Sequence, residues 1–196
     1  MTVTLTSSKL TIEDILWTSR QPSNLNYLRT NGFLFAVTKL PKVSYFCQAA
    51  NIPSLTLGTA IQQTPFVDIP HPGDKLVFDQ LSIRFMVQEN LENFMELYTW
   101  MIGLGFPVSR DQFRTYVNTY ADRYPQLKSE LPQLSDATLL VLDNSNNPVA
   151  QFNFTDCFPT SLTNMEFDIS DGQAKYFQVT ATFAFTSYTT ESLLTT

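Results

Sequence analysis

Hydrophobic and polar residues alternate most clearly from Leu81 to Gln88, where Leu81, Ile83, Phe85 and Val87 are separated by Ser82, Arg84, Met86 and Gln88. A period of two sends successive side chains to opposite faces, so this stretch is expected to be a half-buried strand. The period then changes. From Leu91 the apolar residues Leu91, Phe94, Met95, Tyr98, Met101 and Ile102 recur at helical spacing, which places them on one side of a helix. Asn90 is an N-cap residue type, and Gly103, Gly105 and Pro107 are stop signals. The pattern therefore predicts a helix over 91–104 that packs Phe94, Met95, Tyr98 and Met101 on a sheet.

Other alternating runs predict further strands. Phe33 to Val37, a Pro41-Lys42 turn and Val43 to Ala49 read as a hairpin. Thr138 to Leu142 and Val149 to Phe154 flank the turn-rich Asp143-Asn144-Ser145-Asn146-Asn147-Pro148 and read as a second hairpin. Leu162 to Ile169 and Tyr176 to Tyr188, around Ser170-Asp171-Gly172, read as the last two strands; Phe177, Val179, Ala181, Phe183 and Phe185 share one face of the latter. Between Asn51 and Gly73 the density of proline and glycine predicts a long excursion with an extended middle. Helical spacing of Tyr116, Tyr120 and Tyr124, ended by Pro125, predicts helical character in the polar segment Ser109 to Leu134. Near the start, Thr11 to Trp17 is expected to be a short helix and Gln21 to Asn26 an arm. The inventory of about seven or eight strands is mainly β, an antiparallel sandwich or barrel with one flanking α-helix. Residues 1–31 form an N-terminal extension, 32–190 the β domain, and 107–134 an inserted helical and loop segment.

With 196 residues the chain suits one domain. Charged residues make up only 15% against 43% hydrophobic, so much of the surface is neutral polar or covered by other chains; a Thr-, Ser- and Asn-rich β protein has the same composition. A net charge of −6 without any basic cluster argues against a nucleic-acid grip. It is compatible with a wall past which DNA slides. Cys47 and Cys157 are expected to be free thiols of a protein made and kept in the cytosol, since the polar start MTVTLTSSK lacks a signal-peptide core and no run approaches a membrane span.

Candidate chemistry is sparse. The sole histidine, His71, stands between Pro70 and Pro72 with no hydrolase elbow or zinc motif to join. Glu89, Glu92 and Glu96 gather where the helix begins, where carboxylates complement the macrodipole. Gly73-Asp74 lacks the following Gly-Lys-Ser/Thr of a phosphate loop, and Asn153-Phe154-Thr155 matches a glycosylation sequon. No catalytic, cofactor-binding or metal-ligating set is assigned. The apolar content of the Pro-rich excursion instead makes Thr56, Ile61, Gln62, Phe66 and Val67 the candidate subunit-interface residues.

The runs GFLFAV, SYFCQAANIP, PHPGDKLVFDQLSIRFMVQEN with NFMELYTWMIGLG, and NFTDCFPTSL leading into YFQVTATFAFTSY, in that order, make the chain resemble the tail tube proteins of contractile-tailed bacteriophages, a family that includes baseplate tube initiators. The resemblance covers most of Gly32 to Tyr188. It implies a β-sandwich subunit with one helix, a hexameric ring, and rings stacked into a hollow virion tube assembled in the host cytoplasm. Tail sheath and baseplate proteins would be its partners, and DNA would leave through the lumen without specific binding. Asp68, Asp74, Asp79 and Glu89 fall in the segment that the resemblance places beside the channel. A repeating tube subunit, a tube initiator and a tube terminator all fit. A β-sandwich ligand-binding module is the alternative of a different class.

Overall fold

The computed structural model describes residues 25–123, 133–169, 172 and 175–193. The expected helix at Thr11 to Trp17, most of the Gln21 to Asn26 arm, the Pro125 helix end and the Ser170-Asp171 turn lie outside the described residues. Among the described residues nine strands and three helices follow in chain order: β1 (Phe33–Val37), α1 (Pro41–Tyr45), β2 (Cys47–Ala50), β3 (Leu55–Gln62), β4 (Ile69–Phe78), β5 (Leu81–Met86), α2 (Glu92–Gly105), α3 (Asp111–Arg123), β6 (Ser135–Leu142), β7 (Pro148–Leu162), β8 (Gln178–Ala184) and β9 (Ser187–Ser192).

The main sheet runs β1-β6-β7-β8-β5-β2, with β9 also paired to β7, and every pairing is antiparallel. Strand β7 serves two layers. Its first half, Ala150 to Thr155, lies between β6 and β9, and its second half, Phe158 to Leu162, pairs with β8. Asp156, at φ 58°, and adjacent register shifts mark the bend between the halves. The layer β1-β6-β7-β9 and the layer β2-β5-β8-β7 therefore pack their apolar faces into one core, the mainly β sandwich that the alternation predicts. Leu81, Ile83 and Phe85 of β5 pair with Phe183, Ala181 and Val179 of β8, and all six are buried. Opposite them, Ser82, Arg84, Gln178, Thr180 and Thr182 make a polar outer face.

Several expectations are corrected. Phe33 to Val37 does not pair with the segment after Pro41; β1 pairs with β6, and β2 pairs with β5. Pro41 opens a helical turn rather than a hairpin, its fixed φ and missing N–H suiting a first helical position. Ser44 Oγ donates to Leu40 O at 2.9 Å and accepts from Val37 N at 2.9 Å, and Val43 is fully buried. This turn carries the chain across to the second layer. The Asn51 to Gly73 excursion is extended as expected, but its extended parts pair, β3 and β4 forming a two-stranded sheet. Pro70 and Pro72 sit within β4 because a two-stranded ribbon leaves one edge of each strand unpaired, and residues two apart share that edge. The strand expected over Leu162 to Ile169 ends at Leu162. Its alternation finds no ladder, since both edges of β8 are taken by β5 and β7. The expected final strand is divided at Phe185-Thr186, so that β8 stays in one layer and β9 crosses to the other.

Of the face expected, helix α2 packs Phe94 against the core, but its buried face is rotated away from Met95 and Tyr98. Its buried residues are Asn93, Leu97, Trp100 and Gly103, whereas Met95 and Tyr98 are nearly half exposed. Trp100 packs on Phe183, with ring centroids 6.2 Å apart, and its Nε1–H donates to Gln133 O at 3.2 Å. Asn90 is not the cap residue. Leu91 holds that position in a left-handed conformation (φ 57°), and the Asn90 side chain accepts instead from Glu92 N at 3.3 Å. Helix α3, within the helical stretch expected before Tyr124, packs on α2.

Candidate subunit interface

The most exposed regular structure is the hairpin of β3 and β4. Every residue of β3 is exposed, and in β4 only Gly73 and Phe78 are partly covered. Cross-strand partners share a face, and alternation along β3 extends each face. One face carries Leu55 with Phe78, Leu57 with Leu76 and Ile61 with Pro70; the other carries Thr56 with Val77, Ala60 with His71 and Gln62 with Ile69. The first is apolar at Leu55, Phe78, Leu57 and Leu76 and again at Ile61 and Pro70, with Thr59 opposite Pro72 between them. It starts in the core, where Phe78 makes edge contacts with Phe185 and Tyr188 at 5.8 and 5.3 Å between centroids. It then runs outward over Leu57 and Leu76, each half exposed.

A bulge divides the hairpin at Gly58, opposite Gly73, Asp74 and Lys75. A Cβ on Gly73 would lie 2.5 Å from the Gly58 carbonyl oxygen, so only glycine permits the close crossing of the two strands there. Gly73-Asp74 thus forms a bulge inside a strand. At the tip, Thr64 Oγ1 accepts from Val67 N at 3.2 Å and closes the turn, leaving Phe66 98% exposed.

The interface residues named from the sequence are distributed over this hairpin rather than gathered on one surface. Thr56 and Gln62 lie on the more polar face, Ile61 on the apolar one, and Phe66 and Val67 at the tip. Leu55, Leu57 and Leu76 were missed. Their alternation with Thr56, Lys75 and Val77 was legible, but the surrounding Gly and Pro marked the segment as loop.

The other candidate groups are occupied with local structure. His71 Nε2 is 3.0 Å from Gln62 Oε1 on the hairpin surface. Lys42 of α1 forms salt bridges with Glu92 and with Glu96, the latter at 3.8 Å, tying α1 to α2. Nearby, the buried Lys39 holds its Nζ 5.3 Å over the Trp100 ring. Both cysteines are free; burial pushes the Cys47 thiol up to about 11 and the Cys157 thiol up to about 12. In the β6–β7 turn, the Asp143 carboxylate is held below its ordinary range by the Asn147 and Ser145 N–H groups, with Arg29 adding charge attraction. Among the described residues, no three His, Cys, Asp or Glu side chains converge to hold a metal ion.

The two-layer antiparallel domain thus extends from its core a hairpin whose apolar side chains are largely exposed. The phage tail tube protein family model matches residues 18–191, and the chain belongs to that family. The tail tube terminator protein of Enterobacteria phage T4 is 25% identical over 173 residues, spanning 85% of this chain and 90% of that protein. In fold the chain is similar to the tube-terminating cap of the anti-feeding prophage, with a TM-score of 0.59 and 13% identity over 89% of this chain and 97% of that one. It is also similar to the sheath/tube terminator of an extracellular contractile injection system, with a TM-score of 0.57 and 15% identity over 86% and 100% of the two chains. The chain is a structural protein of the tail-tube class.

Proposed function

We propose that this chain forms the terminator ring of a contractile phage tail, a hexamer that closes the end of the tube and through which DNA passes. The projecting hairpin carries this reading. Its exposed apolar side chains provide a surface for neighbouring copies or for the last tube ring, and among the described residues the outer edges of β1, β2 and β9 are open to pairing around a ring. The terminator position, rather than the repeating tube or the initiator, is favoured by the likeness to the T4 terminator over most of both chains. The tail sheath is then a neighbour of the ring.

The polar outer face made by Ser82, Arg84, Gln178, Thr180 and Thr182 is proposed as the lumen wall. Apart from Arg84 the face is hydroxyl and amide, so each subunit offers phosphates a single cation and the grip on DNA is weak. Asp68, Asp74, Asp79 and Glu89 are all exposed, on the hairpin, at its base and ahead of α2. There they would add repulsion near the channel mouth.

Electron microscopy of phage tails carrying an epitope on the exposed loop at Ser145 tests the assignment. One labelled ring at a single tail end is expected, and label repeating along the tube would make the chain the tube subunit instead.

A further inference from the structure

We infer that the hairpin tip of one copy plugs a cavity on a second copy, with Phe66 as the knob and Arg110 as its polar guide. This inference rests on the ring reading above and names the contact that would join neighbours in it. The tip is preorganised. Thr64 closes the turn, so Phe66 and Val67, 98% and 66% exposed, project from an ordered apex at little further entropic cost. Asp68 follows directly and brings the one charge of the tip. An exposed aromatic on an ordered apex is suited to fill an apolar socket.

Such a socket lies where α2 ends, α3 begins and β7 passes. Leu104, Phe106, Phe113, Leu134 and Phe158 line a cavity of about 660 Å³ whose polar groups are Gln133 and Arg110. That volume falls in the ~300–1,000 Å³ range of clefts that hold a compact ligand, enough for a phenylalanine and its neighbours. Arg110 is exposed and forms no salt bridge among the described residues. Charge distinguishes this cavity from the others. The one beside α1 carries Glu92 and Glu96 with Lys39 and Lys42, the one beside Phe177 carries Glu89 with Lys175, and the one between α2 and α3 carries Asp111. Among these cavities of the described residues, the Arg110 cavity would receive Asp68 without a carboxylate in its wall. Phe66 is almost fully exposed, so the tip does not fill the cavity of its own chain, and the complementarity of Asp68 to Arg110 makes a second copy the occupant. A knob and a socket at different places on one chain make a head-to-tail contact, the kind that closes into a ring.

The test compares the mass in solution of the full chain, Phe66→Ala, Asp68→Arg, Arg110→Asp and the double variant Asp68→Arg/Arg110→Asp, with circular dichroism confirming that each is folded. Assembly should weaken roughly 30-fold or more in Phe66→Ala, the scale of a buried interface aromatic. Each charge reversal should weaken it, and the double variant should recover it. An equimolar mixture of Phe66→Ala and Arg110→Asp, one lacking the knob and the other the socket's charge, should stop at dimers. Unchanged assembly of Phe66→Ala, or no recovery in the double variant, overturns the knob-and-socket contact and leaves the ring intact. A full chain that stays monomeric at high concentration overturns the ring reading and this inference together.

Discussion

Tyr116 of α3 lies directly over Gly103 of α2: a Cβ added at Gly103 would come within 2.5 Å of Tyr116 Cγ and 2.7 Å of its Cβ. The glycine that reads as a stop signal is therefore the site at which two helices approach. Gly103→Ala gains about 1 kcal/mol of helix propensity, but it forces the Tyr116 ring out of its seat at a cost of about 1–3 kcal/mol for overpacking. Net destabilisation is expected in chemical denaturation. Tyr116→Ala should abolish the penalty, so that adding Gly103→Ala to it becomes neutral or stabilising. Strictly additive effects would show that the two residues do not compete for space.

The face that α2 buries is tested by contrast between neighbouring positions. Leu97 and Trp100 are at most 2% exposed, so Leu97→Ala should cost about 2–5 kcal/mol and Trp100→Ala about 3–5 kcal/mol. Met95→Asp and Tyr98→Asp, on the exposed side, should each stay within about 1 kcal/mol of the parent. Equal losses at all four positions would contradict the orientation of the helix.

Asn93 is fully buried and bonds in both directions: its Nδ2–H donates to Met86 O at 2.7 Å, while its Oδ1 accepts from Gln88 N at 3.2 Å and from Phe94 N at 2.9 Å. Asn93→Asp keeps the shape but loses the donor, leaving a carboxylate facing the Met86 carbonyl. A loss of about 1–3 kcal/mol or more is expected at neutral pH. Acidification should reduce the difference from the parent as the carboxyl regains a proton. A pH-independent difference in thermal unfolding would point to packing alone.

Cys47 and Cys157 titrate above their ordinary range because burial disfavours the thiolate. The native chain therefore keeps these protons while the unfolded chain loses them, and stability should fall as pH rises from the ordinary thiol range towards 11 and 12. For the same reason neither thiol should react quickly at neutral pH. Cys157, fully buried, should wait for unfolding, with Cys47 the faster of the two. Rapid modification of Cys157 by a thiol reagent in native buffer would contradict its burial.

The sequence by itself determined what is local. The alternation of Leu81, Ile83 and Phe85, and that of Val179, Ala181 and Phe183, needs no partner to be legible, because the backbone geometry of a strand imposes a period of two. The Asp143 to Pro148 turn ties β6 to β7 across a few residues, so their pairing was legible as well. Which strand lies beside which is a long-range matter, and there the tertiary structure decided. Phe33 to Val37 pairs with residues 137–141 because the α1 turn sends its sequence neighbour to the other layer. The apolar run Met165, Phe167, Ile169 has strand periodicity and no strand, since β8 had no edge left to offer. Helix α2 was legible as a helix, yet it carries apolar residues on two sides. Contact with Phe183 and with Tyr116, not periodicity, turned Leu97, Trp100 and Gly103 inward and left Met95 and Tyr98 outside. The same holds for the hairpin: Pro70 and Pro72 read as breakers until the fold put them on a ribbon with a free edge, where a missing N–H costs nothing.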